Sequence, residues 1–417
     1  MINYLEDCDL ESLFKDNSIY RNRIFNEGVK IAPLLYFFVY SLVDYAIKNK
    51  MDTIYYQTRE GETFVKVFDI IASNNPFNSK LPKAKVMEIS RMASFAPSLK
   101  EFSIDELMRM WSQYKKQSIK TLYKSLNVDI DSYTKYFKKY DIDIDEVIDE
   151  PYSNERIKKL FSDVEYKKLM DKELNKKREK FLNFFEHNYG IKNEKGSLLI
   201  VDIGWRGSIQ DNLAYIYDKK DIYGYYIALF DYFNKQPKNV NKKAFIDDIQ
   251  VRDNVILNLI TLLEWLYNPG TGSVIGYEGN KAIRKMKDQE KSVIEEYIKP
   301  LQEGMFEGVK VINEAMAKKP IDVNEMKNIA CEMFKDVKEN PSPEIVDAYY
   351  SMVFNNNFGD GDEILKPKKL SFIDRFNVIK CRNLLRKEDW KEAFMKYNHV
   401  GYMKYLLDIA KLIKRKK

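Results

Sequence analysis

Residues 198–213 read LLIVDIGWRGSIQDNL. Leu198 to Val201 form a short apolar run of the kind buried on both faces in a parallel sheet, and Asp202 ends it. Gly204 and Gly207 bracket the bulky pair Trp205-Arg206, after which SIQDNLAYIYD returns to helical spacing. The unit is strand, small polar loop, helix. It occurs once before, as MDTIYYQ (51–57), the loop TREGE and the helical segment ETFVKVFDIIAS. KVMEIS (85–90) and DIYGYYIALF (221–230) add two further strand signals. Strands alternating with helices predict an α/β fold with a mostly parallel, doubly wound sheet.

The bulk numbers agree with such a core. At roughly 100–200 residues per domain, 417 residues allow two or three compact units, and 45% of them are hydrophobic. Lys and Arg total 69 against 63 Asp and Glu. That modest excess does not point to nucleic acid, whose binders concentrate charge on one face. Cys8, Cys331 and Cys381 lie far apart and there are only two His, which argues against a zinc site or a disulfide framework. A reducing cytoplasm is the expected setting, since MINYLEDCDLESLFKD starts no signal peptide. The most apolar run, IAPLLYFFVYSLV, has 13 residues. A spanning helix needs about 20, so a buried helix is expected.

Four regions follow: residues 1–100 as the first part of the α/β core, 101–190 as a helical insertion, 191–285 as the rest of the core, and 286–417 as a helical C-terminal region. In the insertion, FSIDELMRMW, NVDIDSYTKYF and DIDIDEVIDE each place an Asp where a helix N-cap belongs. VILNLITLLEWLY predicts an apolar helix, and NPGTGSVIGYEGN a glycine-rich turn. The tail KYLLDIAKLIKRKK is amphipathic with a basic end; it fits either a plain terminal helix or one lying on an anionic membrane surface.

In open α/β sheets ligands sit at the carboxyl ends of strands. Two loops there, TREGE and DIGWRGS, enter helices directly, so their N–H groups and the helix dipole favour an anion. Gly61, Gly204 and Gly207 allow close backbone approach, and Arg59 and Arg206 supply forked donors for phosphate oxygens. Asp202 has the opposite preference and requires hydroxyls or a bound cation. A phosphorylated sugar combines both demands.

The opening stretch resembles the sugar-binding loop of type I phosphoribosyltransferases, with Leu198 to Val201 as the apolar run, Asp202 as its first acid and Gly204 to Ser208 as the turn that holds a 5-phosphate. Ile203 stands where that family has a second acid. TREGE resembles the family's pyrophosphate loop. A closer resemblance spans about residues 20–280, through IYYQTREGETF, ISRMASFAPSL, VDIGWRGSIQDNL and LLEWLYNPGTGSVIGYE. It is to the domain that accompanies haloacid-dehalogenase-type phosphatases in bacterial capsule and O-antigen gene products. This resemblance implies transfer of 5-phosphoribose from phosphoribosyl pyrophosphate to a polysaccharide or lipid-linked glycan, with a separate phosphatase acting afterwards.

On that reading Mg²⁺ bridges the pyrophosphate. Arg59 and the Gly61 loop, with Glu60 and Glu62, attend the leaving group, while Asp202 holds the ribose hydroxyls or metal. Gly204, Trp205, Arg206, Gly207, Ser208 and Gln210 surround the 5-phosphate. Ser90 and Arg91 line the neighbouring strand end, Arg91 fitting equally as a tie to the insertion. Glu264 is either an acceptor-side base or a partner for Arg206. Trp265 and Tyr277 would form an acceptor platform. His187 reads as structural. Two other classes stay open. One is a phosphosugar hydrolase, although the DxD runs of DIDSY and DIDIDE follow no strand; the other is a non-catalytic scaffold of polysaccharide assembly.

Overall fold

Five strands carry the fold: β1 (Thr53–Gln57), β2 (Lys83–Met87), β3 (Gly196–Asp202), β4 (Lys220–Ala228) and β5 (Val240–Ile246). They lie in the order β2-β1-β3-β4-β5, and every pair is parallel. The computed structural model describes residues 10–247, 256, 259–286, 288–351, 353–355, 363–365 and 369–415. Cys8 and, in the segment VILNLITLLEWLY, Val255, Leu257 and Asn258 lie outside them.

The helices that matter for the site are α1 (Arg23–Lys48), α2 (Gly61–Ser73), α3 (Arg91–Ser98), α4 (Ile104–Trp111), α5 (Val164–Tyr189), α6 (Ser208–Ile216), α7 (Ile260–Leu266) and α8 (Lys299–Lys318). β3 shows why its sequence is continuously apolar. Leu199 and Val201 join Ile54, Tyr56, Tyr225, Phe38 and Phe64 in a layer covered by α1 and α2. Leu198 and Ile200 join Tyr55, Met87, Ile222, Phe181 and Phe185 in the opposite layer, under α5 and α6. A strand sandwiched in this way has no face left for polar residues until it ends.

α1 is long and apolar enough to cross a bilayer, yet 78% of its most apolar window is buried against protein. α8 packs along it at backbone contact: a Cβ on Gly28 would strike the Leu301 carbonyl, and one on Gly304 the Phe25 carbonyl. Only glycine permits that approach.

The insertion has its own apolar cluster, including Phe102, Trp111, Tyr123, Phe161 and Tyr166. Its caps differ in part from expectation. Ser103, not Asp105, caps α4, accepting from Glu106 N–H. Asp131 opens only a three-residue 3-10 turn, and the run 141–147 forms no helix; Asp143 there accepts from Asp145 N–H instead. Asx turns compete with caps for these side chains. β5 was not expected, because VNKKAFI is an edge strand with alternating exposure. The glycine-rich stretch forms a hairpin, β6 (Ser273–Glu278) with β7 (Lys281–Lys285). Nor is the C-terminal region wholly helical, since residues 353–355 pair with 363–365.

Candidate active site at the sheet switch point

From β1 the chain crosses through α2 to β2 on one side; from β3 it crosses through α6 to β4 on the other. α2 and α6 cover opposite faces, so the strand order reverses between β1 and β3. The carboxyl ends at such a reversal are the general ligand position of open α/β sheets. Both expected loops border it. Tyr56 pairs with Val201, and the parallel register brings Thr58–Glu60 and Ile203–Gly207 out at the same edge.

Each loop is fastened by backbone contacts. Thr58 Oγ1 donates to the Ile89 carbonyl at 2.7 Å and accepts from Ile89 N–H at 3.1 Å. Gly61 is required because a Cβ would sit 2.7 Å from the Tyr56 carbonyl carbon. Gly207 adopts φ 66°, and a Cβ there would lie 2.7 Å from the Tyr226 hydroxyl. Phe230 N–H donates to the Trp205 carbonyl at 2.7 Å, and Lys242 Nζ to the Arg206 carbonyl at 2.8 Å. The Thr58–Arg59 and Gly204–Trp205 peptide bonds are both cis.

Three acids and two arginines meet electrostatically at these strand ends. Asp202 accepts from its own Ile203 N–H at 2.8 Å. Burial, then Glu60, pushes the Asp202 carboxyl up to about 8; Glu264 adds to the rise, while Arg91 opposes it. Burial also raises Glu60, which is only 6% exposed, against the pull of Arg59. Arg59 reaches Glu290 at 3.2 Å and Glu60 at 3.5 Å. Burial pulls its pKa down, and Glu60, Glu290 and Glu264 more than offset that, so it stays charged. Glu264 accepts from Trp205 Nε1 at 2.8 Å. Acids held above their usual range beside a fixed cation are a physical signature of a candidate functional site. Among the described residues no group of three His, Cys, Asp or Glu side chains forms a ready metal cage.

Several expected contacts lie elsewhere. Gln210 is fully buried, its amide donating to the Ile222 and Asn241 carbonyls while it accepts from Tyr226. It fastens α6 to the sheet and reaches no ligand. Tyr277 is packed among Phe181, Phe184 and Phe185 with its hydroxyl on the Glu88 carbonyl, and Trp265 is in the core, so neither builds a platform. Glu62 is committed to Arg284 at 2.6 Å and to Thr271 at 3.0 Å, bridging α2 to the β6–β7 hairpin. Ser90 caps α3 and donates to the Val274 carbonyl at 2.5 Å. Arg91 lies within electrostatic reach of Asp202 and also donates to Tyr114 of the insertion at 3.0 Å. Arg206 lies over the Phe233 ring and bonds the Asp231 carbonyl, away from Glu264. His187 is exposed.

Gln57 was not anticipated. It ends β1 beside Asp202, on the same face of the sheet. It is 1% exposed, and neither its amide nitrogen nor its oxygen has a partner. The signal was available: a polar residue closing a buried strand, as Asp202 does. No family model matches the chain, and no curated protein matches it.

Proposed function

We propose that the chain is a glycosyltransferase of the type I phosphoribosyltransferase kind. It would move 5-phosphoribose from phosphoribosyl pyrophosphate to a glycan acceptor of the capsule or O-antigen type. One observation carries this reading: the Arg59–Glu60 loop and the Asp202–Gly207 loop flank one switch point, joining a fixed cation to raised acids. Arg59 and the N–H groups of the Gly61 loop would stabilise charge developing on the departing pyrophosphate. Asp202 would accept from the ribose hydroxyls, with Gln57 offering both a donor and an acceptor beside it. The glycosidic carbon loses its bond to the pyrophosphate oxygen, which leaves with the electron pair. The acceptor hydroxyl oxygen forms the new bond, and its proton passes to Glu264.

Ile203 is buried in the α1–α2 layer, so no acid at that position could reach a ligand. Glu60 of the neighbouring loop takes over the acidic side of the pair, close enough to raise Asp202. Asp202 spends one oxygen on a backbone N–H. If binding the ion displaced the Asp202 proton, that carboxylate with substrate phosphates would be an ordinary Mg²⁺ environment; when bound, the ion would supply charge neutralisation of the pyrophosphate. The test is phosphorus NMR of the protein with phosphoribosyl pyrophosphate, Mg²⁺ and candidate glycans. Pyrophosphate release that is lost in Asp202→Ala supports the reading. Stabilisation by a nucleotide sugar, with no stabilisation by phosphoribosyl pyrophosphate, overturns the donor.

A further inference from the structure

Among the described residues, fifteen large apolar side chains are exposed, and nine of them fall between residues 372 and 409. Phe372 (72% exposed), Ile373 and Phe376 lie on and beside a 3-10 turn. Val378 and Ile379 (74%) open α9 (Val378–Leu385). Tyr402, Tyr405, Leu406 and Ile409 lie on α10 (Tyr402–Arg415). The last four have the spacing i, i+3, i+4, i+7, a single helical stripe. That stripe normally faces a core. Here Met403 and Leu407 make the inward contacts, and the stripe faces out.

The pieces form one surface. α10 packs on α9, and the Tyr402 hydroxyl donates to the Arg375 carbonyl at 2.6 Å. Phe372 and Phe376 meet edge to face at 5.3 Å.

Charge is equally concentrated. From Lys369 to Lys417 the sequence has fourteen Lys and Arg against five Asp and Glu, net +9; the whole chain is only +6, so residues 1–368 are net −3. Arg382, Arg386 and Lys404 are exposed on or directly after the same elements as the apolar side chains, and Lys380, also exposed, pairs with Asp374 at 2.8 Å. Interfacial binding strengthens with the apolar area buried and with attraction of basic side chains to anionic lipid, and both features occur here.

We infer that the surface formed by residues 372–379 and the outward stripe of α10 docks on an anionic lipid bilayer. This reading is independent of the activity proposed above. Phe372, Ile379 and Tyr405 insert among the acyl chains, while the flanking Lys and Arg neutralise lipid phosphates.

The test is sedimentation of the full chain with vesicles of phosphatidylcholine alone and of phosphatidylcholine mixed with phosphatidylglycerol. The wild type should bind the mixed vesicles and lose them as salt rises. Phe372→Ser with Ile379→Ser should weaken binding by at least about tenfold, with circular dichroism and melting unchanged because both side chains are already in solvent. Val164→Ser, exposed on another face, should bind as the wild type does. Three results overturn the inference: no binding to anionic vesicles at low salt, full binding by the double variant, or a stable dimer in solution that the double variant dissociates.

Discussion

The indole Nε1 of Trp205 donates to Glu264 Oε1 at 2.8 Å, tying the loop after β3 to helix α7. Trp205 also stacks on Phe230 with ring centroids 5.4 Å apart and an interplanar angle of 11°. The turn after Asp202 is thus braced by its own bulk, on a ring face and at a ring edge. Glu264 holds this brace and also lies within electrostatic reach of Asp202, Glu60 and Arg59, and two substitutions separate its roles. Glu264→Gln keeps an acceptor for the indole and removes the basic carboxylate. It should hold stability within about 0.5 kcal/mol and lower turnover by roughly 10²–10⁴. Glu264→Ala also leaves the indole unpaired and should cost about 1–2 kcal/mol of stability. Unchanged turnover in Glu264→Gln makes Glu264 a brace alone.

Gly207 tests how tightly that turn is built. Its φ of 66° is unfavourable for any other residue, and a Cβ would meet the Tyr226 hydroxyl at 2.7 Å and Lys242 Cε at 3.0 Å. Gly279 has φ 55° with nothing within 4 Å of a Cβ. Gly279→Ala should therefore cost only the left-handed penalty, about 1 kcal/mol. Gly207→Ala should cost more, up to about 3 kcal/mol. Urea midpoints of the two variants measure the difference, and equal losses would show that the Tyr226 neighbourhood yields freely.

Asp202 makes stability depend on pH with a definite sign. Its carboxyl is pushed up to about 8 in the fold, above the 3.8 of an ordinary Asp. Between these values the unfolded chain has released the proton while the native state still holds it, so stability falls as pH rises, by at most about 1.4 kcal/mol per unit. Asp202→Asn removes this slope. The variant's advantage in melting temperature should grow from pH 5 to pH 8 and level off above. A constant difference across that range means that Asp202 is ionised throughout.

The parts of the site legible in the sequence were those set by local chain chemistry. LLIVD has no polar residue until it ends because both faces of β3 are covered, and the same logic located TREGE and Asp202. What stayed hidden depended on tertiary neighbours. Gln210 sits one turn past the loop like a ligand-binding residue, yet Tyr226 and two carbonyls of β4 and β5 take all its hydrogen bonds. Tyr277 follows a glycine-rich segment, but β6 folds back as a hairpin and presses the ring into Phe181 and Phe184. Glu290, which pairs with Arg59 from 231 residues away, left no local trace.

Gln57 offers a split between stability and function. A buried amide without partners costs free energy that an apolar side chain of similar size does not. Gln57→Met should match or exceed the wild type in chemical denaturation. If the amide exists to meet the sugar beside Asp202, the same variant should bind phosphoribosyl pyrophosphate at least about tenfold more weakly. Isothermal titration reads this directly, and wild-type affinity in a stable Gln57→Met protein removes Gln57 from the site.

The two loops should fail in different ways. On the proposed reading, Arg59→Ala removes a charge aimed at the leaving pyrophosphate, an interaction that would be strongest in the transition state. Turnover should drop by roughly 10²–10³ with a smaller change in KM. The same change strands Glu60, whose 6% exposure leaves it little water in place of the lost partner at 3.5 Å. Arg59→Ala should therefore also lose stability, most at high pH, where Glu60 must ionise unpaired. On the same reading, Asp202→Ala removes a group that would contact the bound sugar before and during reaction. KM should rise with it, and stabilisation of the protein by donor plus Mg²⁺ should largely vanish. Steady-state kinetics and thermal shifts of both variants, with and without donor, give the comparison. Identical profiles for Arg59→Ala and Asp202→Ala would mean that the loops do not serve opposite ends of one donor, and the assignment of pyrophosphate to one and sugar to the other would fail.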